Sequence, residues 1–353
     1  MSNRFWSPIV NELDPYVPGE QPQDQQYIKL NTNESPYPPA PAVAAALASF
    51  DCEQLRRYPD PESLELRDAL AEYHGLARAQ VFVGNGSDEV LAHAFQALLQ
   101  KSSPILYPDI SYSFYPVYCA LYRIEYVTVP LDAEFRIDVD AYRPGNGGII
   151  IANPNAPTGI ALPLAAIRRL LANHRDSVVI IDEAYVDFGA ESATSLIEDF
   201  DNLLVVQTFS KSRNLAGLRL GAAFGQAPLI EALQRIKNSF NSYPVDSLAG
   251  ACALASIADE DYFQKCRQRI IASRERLADG LTALDFETLP SNSNFLLASH
   301  AGRPAQALYL ELKNIGILVR HFNKPRIDNW LRITVGSDAE CDRLLEALRQ
   351  ILG

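Results

Sequence analysis

Cysteine is scarce in this chain and is not arranged for chemistry. The five residues, Cys52, Cys119, Cys252, Cys266 and Cys341, are odd in number, widely spaced and include no CxxC pair. That pattern argues against a disulfide framework or a structural zinc and suits a reduced, intracellular setting. The five histidines, His74, His93, His174, His300 and His321, likewise show no metal-ligand spacing. No stretch reaches the ~20 apolar residues of a membrane span. Residues 1–19 contain no signal-peptide core. The cytoplasm is therefore the expected location, with no membrane partner. Positive charge is also in deficit: 31 Lys and Arg stand against 43 Asp and Glu, a net charge of −12. A nucleic-acid backbone would be repelled, although a local basic pocket for a small anion remains compatible. Repeats and low-complexity tracts are absent too.

What is present is a chain of 353 residues with 48% hydrophobic content, a length that suits two domains. Residues 1–40 are rich in Pro, Asn and Gln and read as an extended arm. Prolines at 36, 38, 39 and 41 forbid a regular helix there. Beyond residue 41, helical stripes alternate with short apolar runs. Strands are expected at 81–83, 105–107, 124–129, 148–152, 178–181, 204–206 and 221–224. Helices are expected at 41–50, 63–74, 87–99, 113–121 and 164–173. The unbroken runs Gly148–Ala152 and Val178–Ile181 suit strands buried on both faces. This rhythm predicts an α/β fold, a mostly parallel sheet with helices on both faces, over residues 41–245. After about Val245 the pattern changes to helices at 245–258, 261–284, 305–314 and 338–352. Strands at 294–297, 317–320 and 330–335 complete a smaller α+β domain spanning 246–353.

In parallel sheets the ligand site lies beyond the carboxyl ends of the strands, so the residues following each apolar run matter most. After the first strand, Gly84-Asn85-Gly86-Ser87-Asp88-Glu89 turns sharply into a helix capped at Ser87, a start that suits a phosphate monoester. It is not the dinucleotide fingerprint, because Glu89 stands where a third glycine belongs. Tyr112 follows the second strand and is placed to stack on a flat ring. Asn153-Pro154-Asn155-Ala156-Pro157-Thr158-Gly159 is a rigid loop that fixes an amide at a strand end. Asp182, after 178–181, needs a cationic partner if buried, and no such residue is adjacent in sequence. A protonated ring nitrogen would serve, with Tyr185 donating to a ring oxygen. Finally, Ser210-Lys211 is followed eight residues after the lysine by Arg219, between Gly217 and Gly221. A lysine amine can form an imine with an aldehyde, while a serine hydroxyl and a guanidinium bind a phosphate. Each feature alone fits an ordinary loop; together they match pyridoxal 5′-phosphate, handle for handle.

Over nearly its whole length the chain resembles the fold-type-I pyridoxal-phosphate aminotransferases, and within them the histidinol-phosphate aminotransferase family. The resemblance rests on Leu30–Tyr37, Arg57–Asp60, Gly84–Glu89, Asn153–Gly159, Asp182–Tyr185, Ser210–Gly221, Gly316–Arg320 and Leu331–Gly336. It implies a seven-stranded central sheet, an N-terminal arm serving the small domain and dimer contacts, and a homodimer. It implies that Lys211 forms the imine and then shuttles a proton between the substrate and the cofactor. Asp182 would keep the ring nitrogen protonated, and Tyr185 with an asparagine would bind the ring oxygen. Tyr112 would stack, and Gly86, Ser87, Ser210 and Arg219 would hold the phosphate, with Tyr58 arriving from the partner subunit; Asp88 is expected among the cofactor-binding residues. Arg332 would bind the carboxylate of glutamate. Arg320, Arg332, Tyr16 and Asn33 would bind the phosphate-bearing substrate. The family often carries an asparagine where Ala156 stands, so Asn155 is expected to substitute through a small loop shift. The implied reaction is transamination between L-histidinol phosphate and 2-oxoglutarate, giving imidazole-acetol phosphate and L-glutamate in histidine biosynthesis. An aromatic amino-acid aminotransferase and a threonine-phosphate decarboxylase stay open as alternatives, and a non-catalytic cofactor-binding module would require the loss of Lys211.

Overall fold

A computed structural model describes residues 4–353 of the chain. Seven strands form the main sheet: β1 (Val81–Gly84), β2 (Ile105–Pro108), β3 (Tyr126–Val129), β4 (Ile149–Ala152), β5 (Val179–Asp182), β6 (Leu203–Thr208) and β7 (Gly221–Gly225). Their order is β1-β7-β6-β5-β4-β2-β3. Neighbours pair in parallel except β7, which runs antiparallel to both β1 and β6. The expected mostly parallel α/β sheet is therefore present.

Side chains alternate between two buried layers. Ile149, Ile151, Val179, Ile181, Leu203 and Val205 enter one core, with helices Pro41–Ser49, Leu64–His74, Leu164–Asn173 and Ser247–Ala258. Ile150, Ile180, Leu204 and Val206 enter the other, with Gly86–Ala94, Tyr115–Tyr122 and Ala227–Phe240. A strand covered on both faces can be apolar at every position, which is why these segments show no polar alternation. The helix Ser247–Ala258 buries Ala249, Cys252 and Ala253 in the large-sheet core, although the sequence pattern assigns it to the smaller domain.

The second core surrounds a four-stranded antiparallel sheet. Its strands are β8 (Phe286–Thr288), β9 (Phe295–His300), β10 (Arg320–His321) and β11 (Leu331–Thr334), in the order β10-β11-β9-β8. Helices Glu260–Thr282, Ala305–Asn314 and Asp338–Leu352 cover it. The run expected as one strand at 317–320 is divided. Ile317–Leu318 pairs in parallel with Ile28–Lys29 of the arm, and Arg320–His321 joins β11. The backbone changes sheet at Val319, so Arg320 stands beside Arg332 in register.

Candidate active site

A cavity of about 550 Å³ lies at the ends of β4, β5 and β6, between the two sheets and beneath the arm. It collects Lys211, Asp182, Tyr185, Tyr112, Arg219 and Arg332.

Strand β6 is buried and then opens into a loop folded by Leu215 N–H donating to the Phe209 carbonyl (3.0 Å). On that loop the Lys211 Nζ donates to the Thr32 carbonyl at 3.2 Å. Burial first, and the Arg332 charge second, pull the Lys211 amine down to about 8. A substantial neutral fraction therefore exists near neutral pH, as a nucleophilic amine requires. The Ser212 hydroxyl, next in the chain, donates to the Asp187 carboxylate and pins the loop.

Asp182 ends β5 and is buried. Its Oδ2 accepts from the Tyr115 hydroxyl at 2.9 Å, and its Oδ1 has no partner. Burial lifts its pKa to about 6, against the opposing pull of the Tyr115 hydrogen bond. An orphaned carboxylate oxygen at a cavity wall is costly unless a cationic donor arrives. A protonated pyridine nitrogen has that chemistry, so this residue fits the pyridoxal ring. Tyr115 escaped the sequence reading because it presents as an apolar helix residue 67 positions from its partner.

Tyr185 packs edge-on against Phe295. Its hydroxyl accepts from Asn33 Nδ2 at 2.9 Å. Asn33 adopts a left-handed conformation (φ 56°), and its Oδ1 accepts from the Thr334 hydroxyl at 3.0 Å. Because Asn33 donates, the Tyr185 proton is left free for an oxygen in the cavity. Asn33 thus acts on Tyr185, a contact that its expected role at the substrate does not include.

At one end the helix Gly86–Ala94 begins with Asn85 as its cap residue, not Ser87. The Asn85 amide turns away to the Pro244 carbonyl at 2.9 Å. No side chain caps the first turn, and its backbone N–H groups remain available to an anion. Ser87 and Asp88 line the cavity there, with Ser210 and Arg219 opposite. One Asp88 oxygen accepts from the Tyr112 hydroxyl (3.0 Å) and the other from Arg219 Nη2 (3.1 Å). Asp88 thereby orients both the Tyr112 ring and the Arg219 guanidinium. Gly221 permits the tight approach, since a Cβ there would lie 2.4 Å from Ser87 N. Gly86 has φ +83°, and a Cβ on it would meet the Arg219 guanidinium at 2.7 Å.

The other end is cationic. Arg332 is half-buried, and its partial desolvation pulls its pKa down. It donates from Nη2 to the Asn31 carbonyl at 2.8 Å, while its Nε has no partner. Arg320 and Lys324 join it on the cavity wall. Lys324 carried no sequence signal, lying on an irregular loop. Tyr16 reaches the cavity from the arm, its ring 4.8 Å from that of Phe114.

Three expected residues do not line this cavity: Gly86, which lies just behind Ser87 at the helix start, Asn155 and Tyr58. Asn155 donates to the Ile110 carbonyl (2.9 Å) and to Thr158 Oγ1 (3.1 Å), and accepts from the Ser111 hydroxyl (2.9 Å). Its amide is consumed in folding the loop, and Ala156 with Pro157 forms the wall instead. In this structure the Asn155 amide is committed to the loop, and the amide beside the Tyr185 hydroxyl is that of Asn33. Tyr58 is 81% exposed and stacks on Tyr243 at 4.6 Å, away from its own chain's cavity.

The fold and site define a class. The aminotransferase class I and II family model matches residues 25–348, and the chain belongs to that family and, within it, to the histidinol-phosphate aminotransferases. Histidinol-phosphate aminotransferase 1 of Bradyrhizobium diazoefficiens is 59% identical over 350 residues, covering 99% of this chain and 100% of that protein. Histidinol-phosphate aminotransferase 2 of Burkholderia mallei is 58% identical over 353 residues, covering 99% of each. The crystal structure of histidinol-phosphate aminotransferase from Sinorhizobium meliloti, in complex with pyridoxal-5′-phosphate, superposes with a TM-score of 0.87 at 25% identity, covering 99% of this chain and 98% of that one.

Proposed function

We propose that the protein is a pyridoxal-phosphate-dependent transaminase that moves the amino group of L-histidinol phosphate to 2-oxoglutarate in histidine biosynthesis. The observation that carries the reading is one cavity lined by both the half-buried Lys211 and the half-satisfied Asp182 carboxylate, with Arg219 toward one end and Arg320 and Arg332 toward the other. The relatives' shared activity supplies the identity of the amine.

When bound, the pyridoxal ring supplies an aldehyde to hold an amine and an electron sink for the charge left when a carbon proton is removed. The residues divide the remaining work. Asp182, with its unpartnered Oδ1, would hold the proton of the ring nitrogen. The Tyr185 hydroxyl donates to the ring oxygen, with Asn33 fixing its direction. Tyr112 covers a ring face. The start of the helix at Gly86, with Ser210 and Arg219, binds the cofactor phosphate. The Lys211 amine would take up and return a proton at the substrate carbon. Arg320, Arg332, Lys324 and Tyr16 accept the substrate's anionic group. Guanidinium forks suit both a carboxylate and a phosphate, so one pocket serves both substrates in turn.

The working unit is a homodimer in the cytoplasm, with Tyr58 completing the partner's site. Supporting this, Tyr58, Phe240 and Leu55 leave large apolar surface exposed. The five cysteines are free thiols, and among the described residues no helix is long and apolar enough to cross a membrane. We place the division between the large and small domains near residue 258 and keep the arm as a separate element.

The direct test is spectroscopic. The purified protein is expected to be yellow or to turn yellow on addition of pyridoxal phosphate, and Lys211→Ala is expected to lose both that colour and turnover. A wild type that stays colourless with the cofactor would overturn the proposal.

A further inference from the structure

Residues 13–27 form a strap between the short helix Pro8–Glu12 and the strand that starts at Ile28. Pro15, Pro18 and Pro22 deprive it of donors, and among the described residues no backbone–backbone hydrogen bond reaches it. Something else must hold it in place, because it forms a wall of the cavity through Tyr16, Pro18, Gly19 and Gln21. In extended backbone, successive side chains point to opposite sides. Gly19 and Gln21 line the cavity, and Glu20 between them turns outward. Its carboxylate accepts from the Tyr309 hydroxyl at 2.8 Å and from Lys313 Nζ, both on the helix Ala305–Asn314. Its carbonyl accepts from Asn31 Nδ2 at 2.8 Å, and the Asn31 carbonyl in turn accepts from Arg332. Gly19 lies against Thr32, whose carbonyl is the Lys211 partner.

We propose that Glu20 is a positioning residue: its clamp on Tyr309 and Lys313 seats the strap, and with it Tyr16, over the anion-accepting end of the cavity. The role assigned to Tyr16 rests on the reading above that this end takes a phosphate-bearing amine; the clamp itself does not. The Lys313 hydrogen bond, followed by that from Tyr309, holds the Glu20 carboxyl below its ordinary range, so the clamp is charged at neutral pH. The ion pair is partly exposed (side chains 33% and 46%) and therefore modest in strength and screened by salt.

The experiment uses the cofactor-loaded enzyme and the variants Glu20→Gln, Lys313→Met and their combination. Steady-state constants are measured for L-histidinol phosphate, and the rate of chymotrypsin cleavage after Tyr16 is measured in parallel. Each single change is expected to raise KM about two- to five-fold with little effect on kcat, a range set by exposed ion pairs. Cleavage after Tyr16 is expected to accelerate in both, and the double variant to be no worse than the more affected single one. Unchanged cleavage would overturn the clamp, as would additive effects in the double variant. If the wild type ignores histidinol phosphate yet cleavage responds as expected, the substrate reading fails and the clamp stands.

Discussion

At the scale of single residues, the site is organised around groups left incompletely satisfied. Asp182 has an ordinary carboxylate pKa of 3.8 when solvated and about 6 when folded. A carboxyl raised by folding stabilises the protein while protonated and loses that contribution as pH rises through the two values. In the cofactor-free protein, stability referable to this group should fall by on the order of 3 kcal/mol between pH 4 and pH 7. Asp182→Asn should abolish that part of the slope, as checked by melting temperatures of both proteins across the range. Lys211 gives a second pH signature. Its amine is held near 8, so the rate of cofactor uptake by cofactor-free protein should climb with pH and level off above about 8. A flat rate profile would contradict the assignment of Lys211 as the attacking amine. Both residues were legible in the sequence because an ionisable group directly after an apolar run is conspicuous. Tyr115 and Asn33 were less so. Their roles depend on bonds across 67 and 152 positions, and nothing local marks a tyrosine as a carboxylate's partner.

At the scale of elements, the close packing of β7 against the start of the helix Gly86–Ala94 shapes the proposed anion cradle. Gly221→Ala would place a methyl group 2.4 Å from Ser87 N and 2.5 Å from Gly86 C, both backbone atoms with little room to yield. The expected cost is about 1–3 kcal/mol of stability, read as a lower melting temperature, together with weaker pyridoxal phosphate binding by titration. Strand positions here were readable because buried parallel strands are short unbroken apolar runs. Element ends were not. The helix starts at Gly86 with Asn85 as its cap residue, not after a serine cap, and the Asn85 amide is bound to Pro244, a partner 159 positions away. The division of 317–321 between two sheets is equally invisible locally, since only the pairing of Ile28–Lys29 with Ile317–Leu318 reveals it.

At the scale of the whole molecule, an acidic chain with a net charge of −12 gathers five cations, Lys211, Arg219, Arg320, Lys324 and Arg332, around one cavity. That concentration suits small dianions and explains how bulk repulsion of polyanions coexists with local anion binding. The proposed dimer adds Tyr58 in trans. Mixing Tyr58→Ala and Lys211→Ala chains should restore activity above the sum of the two variants, because one hybrid site regains both groups. A monomeric protein would show no recovery. The central claim concerns the amine that this cavity accepts. Its most direct test is a side-by-side determination of kcat/KM for L-histidinol phosphate, phenylalanine and threonine phosphate, with 2-oxoglutarate as acceptor and carbon dioxide release monitored. The expected result is glutamate formation with histidinol phosphate preferred by more than ~10-fold, about 1.4 kcal/mol of transition-state binding. A preference of that size for phenylalanine, or carbon dioxide release from threonine phosphate without a need for 2-oxoglutarate, would contradict it.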